Sequence, residues 1–403
     1  GIDSVLGGEP SGDRLALAIT ARVKHAEAMS RATSKMMDEM HAKKLYLDYL
    51  KECNETMVWD YARTKIAPSI PSVDPTLPQG VPAEISNYKV GKQLGKGHFG
   101  SVYKLHHMLH QGEDDEGQGK VVKLVPKDGV TDFSALKMMK RTIDLMGILR
   151  APENYHANIV RLHSVFHSPT HIMFIMEDGG PENLHQRLCY RTHTDERKKR
   201  PMPAFIVESL IMQTFSAMHH LHHFMSMCHR DIKPENMLIK EDSVGPTNVV
   251  LKLADFDMAC ECPRGMKCKT ACGTMPFTAP EVLSEKEYDG RRCDMWSVGI
   301  LLLELLCGVG IVERSLMNGG QSLHGQDHTS RSQPTKELAR KIYEGFSNAA
   351  CASQILEQFI LEELALYRSM ISPVLTGLLT IAVEERWDSA MVTRYMETSW
   401  SQF

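Results

Sequence analysis

The sequence predicts an α+β fold in which a small lobe of antiparallel β-strands precedes a larger helical lobe. Between residues 88 and 178, short β-branched and aromatic segments such as YKVGKQLG and HIMFIME are separated by turn signals, with one helical segment near 132–149. After residue 180 helical patterns dominate, interrupted by two short strands, NMLI and VLKLA. The most apolar stretch, 296–312, contains Glu304 and is short for a membrane span, so we expect a buried core helix there.

The chain divides into four segments. Residues 1–66 are predicted to form a helical N-terminal extension, because apolar residues recur at spacings of three and four. This pattern fits either an amphipathic helix packed on the main domain or an element that docks a partner or inhibits the chain. Residues 67–87 contain five prolines and are predicted to be an extended linker. We assign 88–178 to the small lobe and 179–403 to the large lobe.

Composition limits the class of protein. A net charge of −4 over 403 residues weighs against a dedicated nucleic-acid binder, and we expect no nucleic acid and no membrane span. Ten scattered cysteines predict reduced thiols. With no secretory signal at the start of the chain, we expect an intracellular, cytoplasmic protein; the missing initial Met leaves organelle import open.

The segment LGKGHFGSV, residues 94–102, predicts a phosphate-binding turn. Its glycines join two predicted strands, so that the backbone between the strands can lie close over phosphate groups. No helix is predicted after the third glycine, which disfavours a dinucleotide-binding fold. We expect Val102 to press on the face of a nucleotide base. The assigned nucleotide-binding residues of this segment are Leu94, Gly95, Gly97, Gly100 and Val102.

Two further segments predict phosphoryl-transfer chemistry. Lys123 lies one strand after the glycine-rich turn, where an ammonium can reach two phosphates. In HRDIKPEN, Asp231 can accept the proton of an attacking hydroxyl, Lys233 can neutralise charge on the transferred group, and Asn236 offers an oxygen to Mg²⁺. In LADFD, Asp255 follows a short apolar strand and is the second expected Mg²⁺ ligand.

Together these segments resemble the signature set of the eukaryotic-type serine/threonine protein kinase family. The resemblance extends from residue 88 to about 397. It implies the two-lobed protein kinase fold and in-line transfer of the ATP γ-phosphate to a Ser/Thr hydroxyl of a protein substrate. It also implies ATP and Mg²⁺ as cofactors.

The resemblance assigns several more residues. Glu177 begins the hinge of the ATP site. Glu281 ends the activation segment, Arg386 is its expected ion-pair partner, and Asp294 begins the central buried helix. Regulatory roles are implied at three positions. Arg230 is expected to bind a phosphate on Thr270, which would add roughly two negative charges, and Thr274 belongs to the pattern that is similar to serine/threonine kinases.

Two departures from the family pattern leave an alternative function open. Asp257 stands where the family keeps a glycine, and Thr142 stands where it keeps the glutamate that pairs with Lys123. Asp144 is about 200° further around the predicted helix and does not face the same way. The alternative is a pseudokinase scaffold that acts through protein contacts of residues 1–66. A nucleotide-binding module unrelated to kinases is a more distant alternative, which the glycine-rich turn alone would allow.

Two side-chain clusters could hold a metal. Four histidines have i, i+3 and i, i+4 spacing but lie where kinases commonly carry a Leu-His pair, which disfavours a metal site: His219, His220, His222 and His223. Four cysteines of the activation segment could bind Zn²⁺ or form a disulfide: Cys260, Cys262, Cys268 and Cys272. Because their spacing is not a common zinc pattern, ordinary thiols are the favoured interpretation.

Overall fold

The structure is a computed structural model that describes residues 81–85, 87–97, 100–108, 119–126, 133–167, 171–191, 202–241, 249–317 and 335–399. The predicted helical extension, 1–66, lies outside these residues, as does most of the predicted linker.

A six-stranded antiparallel sheet forms the small lobe. The strands are rich in β-branched and aromatic residues, and the interior strands Lys120–Pro126 and His171–Glu177 are buried along most of their length. The strand order is β1-β2-β3-β4-β6-β5. The bounds are β1 Glu84–Ile85, β2 Tyr88–Lys96, β3 Ser101–His107, β4 Lys120–Pro126, β5 Leu162–His167 and β6 His171–Glu177. Because β1 pairs with β2, the sheet begins inside the range 67–87 that the sequence assigned to a linker.

One helix, α1 (Phe133–Arg150), packs against this sheet and confirms the helical segment predicted near 132–149. Its buried face includes Ile143 and Leu145, whose side chains join the main hydrophobic cluster. Thr142 is also buried, whereas Asp144 is exposed. The predicted difference in direction between these two side chains is therefore confirmed.

The large lobe is mainly helical. Two short strands, β9 (Met237–Glu241) and β10 (Val249–Leu253), form the predicted antiparallel pair, and β7 (Glu182–Asn183) adds to β9. A third pair joins β8 (Met227–Cys228) to β11 (Cys260–Glu261). The helices are α2 Leu184–Arg191, α3 Ala204–His219, α4 Pro280–Ser284, α5 Gly290–Cys307, α6 Ile311–Met317, α7 Thr335–Phe346, α8 Cys351–Phe359, α9 Arg368–Leu378 and α10 Ser389–Ser399.

Helix α5 is the centre of the large lobe. Asp289 caps its N-terminus, and the Asp289 side chain accepts hydrogen bonds from the backbone N–H groups of Arg291 and Arg292. Nearly all of its residues are buried, which confirms the predicted core helix. Within the described residues, no single helix is long and apolar enough to cross a membrane. Helices α5 and α6 reach that length and apolar content only when taken together, and a 90° bend separates them.

The core is continuous between the lobes. One hydrophobic cluster runs from Ile143 and Phe174 of the small lobe through Phe256 to Trp296 of α5. Burial of such large side chains contributes about 1.5–3 kcal/mol each and is the main term that stabilises the fold. The catalytic motifs lie along this junction, so the packing of the two lobes determines how they face one another.

Candidate active site

The segment HRDIKPEN forms a hydrogen-bonded loop around Asp231. Lys233 Nζ donates to Asp231 Oδ2 at 2.7 Å, and Thr274 Oγ1 donates to Oδ1 at 2.8 Å. Asn236 Nδ2 donates to the Asp231 backbone oxygen at 2.8 Å and to Oδ2 at 3.2 Å. Lys233 also donates to Thr274 Oγ1 at 2.9 Å. These donors hold the carboxylate in one orientation, as a proton acceptor in the loop would require.

Asp294 holds the backbone of this loop from below. Its carboxylate is fully buried and accepts hydrogen bonds from the backbone N–H groups of His229 and Arg230, both at 2.7 Å. A third bond comes from His222 Nε2 at 2.9 Å. Arg230 has a φ of 65°, an unfavourable value for a side chain of this size. The three bonds to Asp294 compensate that strain at the residue just before Asp231.

Lys123 lies between two carboxylates. Its Nζ is 2.9 Å from Asp255 Oδ1 and 2.6 Å from Asp257 Oδ2. Asp255 adopts a left-handed backbone, φ 65° and ψ 71°, and the next residue, Phe256, is buried against His229 with ring centroids 4.9 Å apart. The partner of Lys123, which the sequence left in doubt, is therefore Asp257, together with the expected metal ligand Asp255.

Burial and charge act in opposite directions in this triad. Burial lowers the pKa of Lys123, but the two carboxylates outweigh it and raise that pKa. Burial raises the pKa of Asp255, but Lys123 lowers it further than burial raises it. Burial and the nearby charge of Asp255 raise the pKa of Asp257 to about 6, despite the attraction of Lys123. Asp257 is thus the carboxylate that gains a proton first.

Position 142 faces the same pocket. Thr142 Oγ1 donates to the backbone oxygen of Met138 at 3.1 Å and lies 3.4 Å from the backbone oxygen of Asp257. Helix α1 therefore directs position 142 at the segment that holds Lys123. A threonine has no carboxylate to offer Lys123, and Asp257, whose backbone oxygen lies beside Thr142, supplies one instead.

The glycine-rich turn connects β2 and β3 as predicted. Gly97 N–H donates to Gly100 O at 2.7 Å, which closes the turn. A Cβ at Gly100 would lie 2.2 Å from the carbonyl oxygen of Leu124, so only glycine fits there, whereas a Cβ at Gly95 meets no described atom within 4 Å. Val102 pairs with Lys123 across the ladder and Leu94 is 43% exposed. The end of the turn at Gly100 therefore lies against the strand that carries Lys123, with apolar side chains beside it.

A model of the protein kinase domain matches residues 88–398 of the chain. The chain belongs to the protein kinase family.

Curated relatives place it with the eukaryotic-type serine/threonine kinases. The chain is similar to "Aurora kinase" of Candida glabrata, with 33% identity over 226 residues, covering 56% of this chain and 55% of that protein. It is also similar to "CBL-interacting serine/threonine-protein kinase 24" of Arabidopsis thaliana, with 32% identity over 225 residues, covering 56% of this chain and 45% of that protein. The chain thus spans about half the length of these relatives.

The hinge of the kinase follows β6. Glu177 Oε1 is 2.6 Å from Lys252 Nζ, and its backbone N–H donates to Arg161 O at 2.9 Å. Lys252 therefore holds the Glu177 side chain at the start of the predicted hinge. Gly179 packs against Leu238, with room for no Cβ, which keeps the hinge close to the large lobe.

The end of the activation segment is tied to the large lobe by a buried ion pair. Arg386 Nη2 donates to Glu281 Oε2 at 3.0 Å, and both residues are buried. The Arg386 guanidinium also lies 5.1 Å from the centroid of the Trp296 ring. The structure therefore confirms the predicted pair of Glu281 and Arg386, which packs against Trp296 of the core helix α5.

The middle of the activation segment is close to Arg230. Arg230 Nε donates to the backbone oxygen of Met258 at 2.7 Å, and its Nη1 lies 3.3 Å from the Tyr288 hydroxyl. That hydroxyl donates to the backbone oxygen of Thr270 at 2.6 Å. Thr270 is exposed at the surface, and Tyr288 links its backbone to Arg230.

Two functional contacts have no signal in the local sequence. Thr274 was assigned only to a regulatory pattern, yet it contacts both Asp231 and Lys233. Asp257 was noted only as a departure from the family glycine, yet it is an ion-pair partner of Lys123. The aspartate that replaces a family glycine, combined with the missing glutamate at 142, was the one sequence signal that could have indicated this exchange.

Proposed function

We propose that this kinase transfers the γ-phosphate of ATP to a serine or threonine hydroxyl of a protein substrate. The observation that carries the proposal is the hydrogen-bond network of Asp231, Lys233, Thr274 and Asn236. In this network three side chains donate to one carboxylate, and one of the three donors, Lys233, is a cation. This is the arrangement that accepts a hydroxyl proton while stabilising negative charge on the transferred group.

In the proposed reaction, Asp231 orients the substrate hydroxyl and accepts its proton as the O–P bond forms. Lys233 lies 2.7 Å from the same carboxylate, so its ammonium is close enough to the acceptor to neutralise the equatorial phosphoryl oxygens. Thr274 holds Lys233 and Asp231 together. The network thus couples the position of the acceptor hydroxyl to the position of the charge-stabilising cation.

The donor set near Asp255 fits Mg²⁺. Asp255 offers carboxylate oxygens and Asn236 offers an amide oxygen, because the Asn236 nitrogen is already committed to Asp231. Hard oxygen ligands, few in number, suit Mg²⁺, which keeps several waters and bridges substrate phosphates. When bound, the ion neutralises the phosphate charges of ATP.

Lys123 is proposed to hold the ATP phosphates beneath the glycine-rich turn. Its ammonium must stay in place while Asp255 serves the metal, and Asp257 supplies the second anchor at 2.6 Å. In the family pattern a helix glutamate provides this anchor. The exchange from position 142 to position 257 supports an active kinase over a pseudokinase scaffold.

The test compares phosphate transfer from labelled Mg·ATP to a generic basic protein by the wild-type chain and by Asp231→Asn. Asp144→Asn, which alters an exposed carboxylate on α1, is the matched control. We expect Asp231→Asn to reduce the rate by about 10²–10⁴-fold and the control to match the wild type. Absence of transfer by the wild-type chain, with ATP binding retained or absent, would instead support the scaffold alternative.

We also propose that phosphorylation of Thr270 regulates the enzyme. Arg141 Nε and Arg230 Nη2 are buried without a hydrogen-bond acceptor among the described residues. Burial, reinforced by the positive charge of Arg230, lowers the pKa of Arg141. A phosphate of roughly two negative charges on Thr270 would supply acceptors to this pair and order the exposed segment.

Two measurements, made before and after phosphatase treatment, test this regulation. Mass spectrometry follows the phosphate on Thr270, and the phosphate-transfer assay follows the activity. We expect phosphatase to lower the activity of the wild type, and Thr270→Ala to have the low activity from the start. Arg141→Gln should remove the response to phosphatase. A Thr270→Ala chain with the activity and phosphatase response of the wild type would contradict the proposal.

A further inference from the structure

Four cysteine side chains converge between the strand that precedes the catalytic loop and the start of the activation segment. Cys228 of β8 lies opposite Cys260 of β11, and their Sγ atoms are 3.3 Å apart. Cys268 Sγ is 3.8 Å from Cys228 Sγ and 3.5 Å from Cys260 Sγ. The Sγ atoms of Cys228, Cys262 and Cys268 lie within 4.8 Å of one another.

The distances of 3.3–3.8 Å among the Sγ atoms of Cys228, Cys260 and Cys268 are close to those of a tetrahedral thiolate site. Four sulfurs at about 2.3 Å from a central zinc ion are separated by about 3.8 Å from one another. Cys228, Cys262 and Cys268 are buried and Cys260 is partly buried, so the cluster is closed to bulk water. Closed sites with four thiolate ligands are characteristic of structural zinc.

The backbone holds each cysteine in place without a ligand. Cys262 N–H donates to Ser226 O at 2.6 Å, and Cys268 exchanges two backbone hydrogen bonds with Tyr288 at 2.7 and 2.9 Å. Between Cys262 and Cys268 the chain reverses at Gly265, where φ is +86°. The sulfurs are therefore brought together by the fold itself, as a preorganised site requires.

Gly290, the first residue of α5, leaves the space that the sulfurs occupy. A Cβ there would lie 2.5 Å from Cys228 Sγ and 2.8 Å from Cys268 Sγ. Any residue with a Cβ at this position would require both of these sulfurs to move. A glycine at this position is thus explained by the close approach of the helix terminus to the cluster.

Positive side chains surround the cluster. The guanidinium charges of Arg230 and Arg141 interact electrostatically with Cys260, and that of Arg291 interacts with Cys262. A tetrathiolate zinc complex carries a net charge of −2, which these three cations would offset.

We propose that Cys228, Cys260, Cys262 and Cys268 bind one Zn²⁺ ion. Each coordinating thiol releases its proton to solvent as it binds, and no electron transfer is involved. This set corrects the one suggested by the sequence, which included Cys272 in place of Cys228. Cys272 instead lies 3.8 Å from the Tyr288 hydroxyl.

Zinc accounts for the cluster better than a disulfide does. A disulfide joins two sulfurs at about 2.05 Å, whereas Cys228 Sγ lies 3.3 Å from Cys260 Sγ, 3.8 Å from Cys268 Sγ and within 4.8 Å of Cys262 Sγ. Sulfurs from two separate segments then share one centre. The ion would join residues 260–268 of the activation segment to β8, three residues before Asp231.

Metal content is the first test. The full chain is expressed with zinc and purified without chelator. Elemental mass spectrometry is expected to find one zinc ion per chain. Cys262→Ser and Cys268→Ser should each lose it, and Cys272→Ser, an alteration in the same segment outside the cluster, should retain it. A metal-free wild-type chain, or zinc retained by both cluster variants, would overturn the proposal.

Two measurements on the wild-type chain avoid reliance on variants that could misfold. Replacement of zinc by Co²⁺ should produce the sulfur-to-cobalt charge-transfer absorption and intense visible bands of tetrahedral thiolate coordination. A chelator that removes the ion should lower the unfolding midpoint and leave four additional reactive thiols per chain. Weak octahedral cobalt bands, or a Cys228–Cys260 disulfide found by peptide mapping of the chain as purified, would refute the site. None of these readouts depends on kinase activity.

Discussion

Replacing Asp257 by glycine tests whether this residue has taken over the function of the missing helix glutamate. Asp257→Gly restores the residue type that the family pattern keeps at this position. It also removes the 2.6 Å contact with Lys123 and leaves Asp255 as the one carboxylate of this pair. If Asp257 anchors Lys123, the change toward the family residue should impair the enzyme.

The expected magnitude comes from the contact that is lost. A hydrogen bond between charged groups contributes about 1.5–3 kcal/mol, and Lys123 and Asp257 are both largely shielded from solvent. Since about 1.4 kcal/mol corresponds to a factor of ten, kcat/KM for ATP should fall roughly 10- to 100-fold. The pKa of Asp257 is raised to about 6, so its ionised form is disfavoured by folding, and the cost appears as pH rises from about 4 through 6.

The assay measures kcat/KM for Mg·ATP and the unfolding midpoint of each variant at pH 7. Thr142→Glu in the Asp257→Gly background should recover much of the lost activity, because position 142 faces the same pocket. Asp144→Glu, an exposed position on the same helix, is the matched control and should recover none. Full activity of Asp257→Gly, or equal recovery by both second changes, would refute the argument.

The pH dependence provides an independent measurement of the same residue. As pH falls through about 6, Asp257 gains a proton and Lys123 loses one of its two anionic partners. The wild-type rate should therefore decline below about pH 6. The pKa of Asp255 is lowered by Lys123, so Asp255 stays ionised in this range. Asp257→Gly should lack this acidic decline, and persistence of the decline would assign it to another group.

Three further predictions concern the catalytic loop, the core and the glycine-rich turn. Thr274→Val should lower kcat about tenfold or more with little change in the KM for ATP, because it removes a hydrogen bond to the catalytic carboxylate; an unchanged kcat would contradict the assigned network. Arg386→Met should destabilise the fold by about 3–5 kcal/mol in denaturant, since it leaves a buried carboxylate unpaired. Arg340→Met, at an exposed helix pair, should leave the denaturation midpoint unchanged. Gly100→Ala should lower the thermal midpoint, because its Cβ would meet a backbone carbonyl at 2.2 Å, whereas Gly95→Ala should not.

The sequence predicted the local elements well because the information for them lies in neighbouring residues. Segments rich in β-branched and aromatic residues produced the strands of the small lobe, and the apolar segment 296–312 contains most of the core helix, which ends at Cys307. The loop HRDIKPEN places Asp231, Lys233 and Asn236 within six residues, so their mutual contacts follow from a single turn.

Contacts between distant segments could not be predicted in the same way. Asp257 and Lys123 are separated by 134 residues, and Thr274 and Asp231 by 43. Each pair depends on how the activation segment folds back onto the loop and on how the two lobes pack. The same reason explains the cysteines, since Cys228 lies 32 residues before its cross-strand partner Cys260.

By itself, the sequence determined the fold class, the family and the residue types available for phosphoryl transfer, since these depend on short motifs and on the period of apolar residues. Only the tertiary structure decided which carboxylate holds Lys123 and which four thiols share a centre. A side chain's chemistry is encoded at its own position, but its partners are set by the packing of segments that the chain keeps far apart. In this kinase, the aspartate that appeared to be a defect in a motif becomes an anchor because that packing directs it toward Lys123.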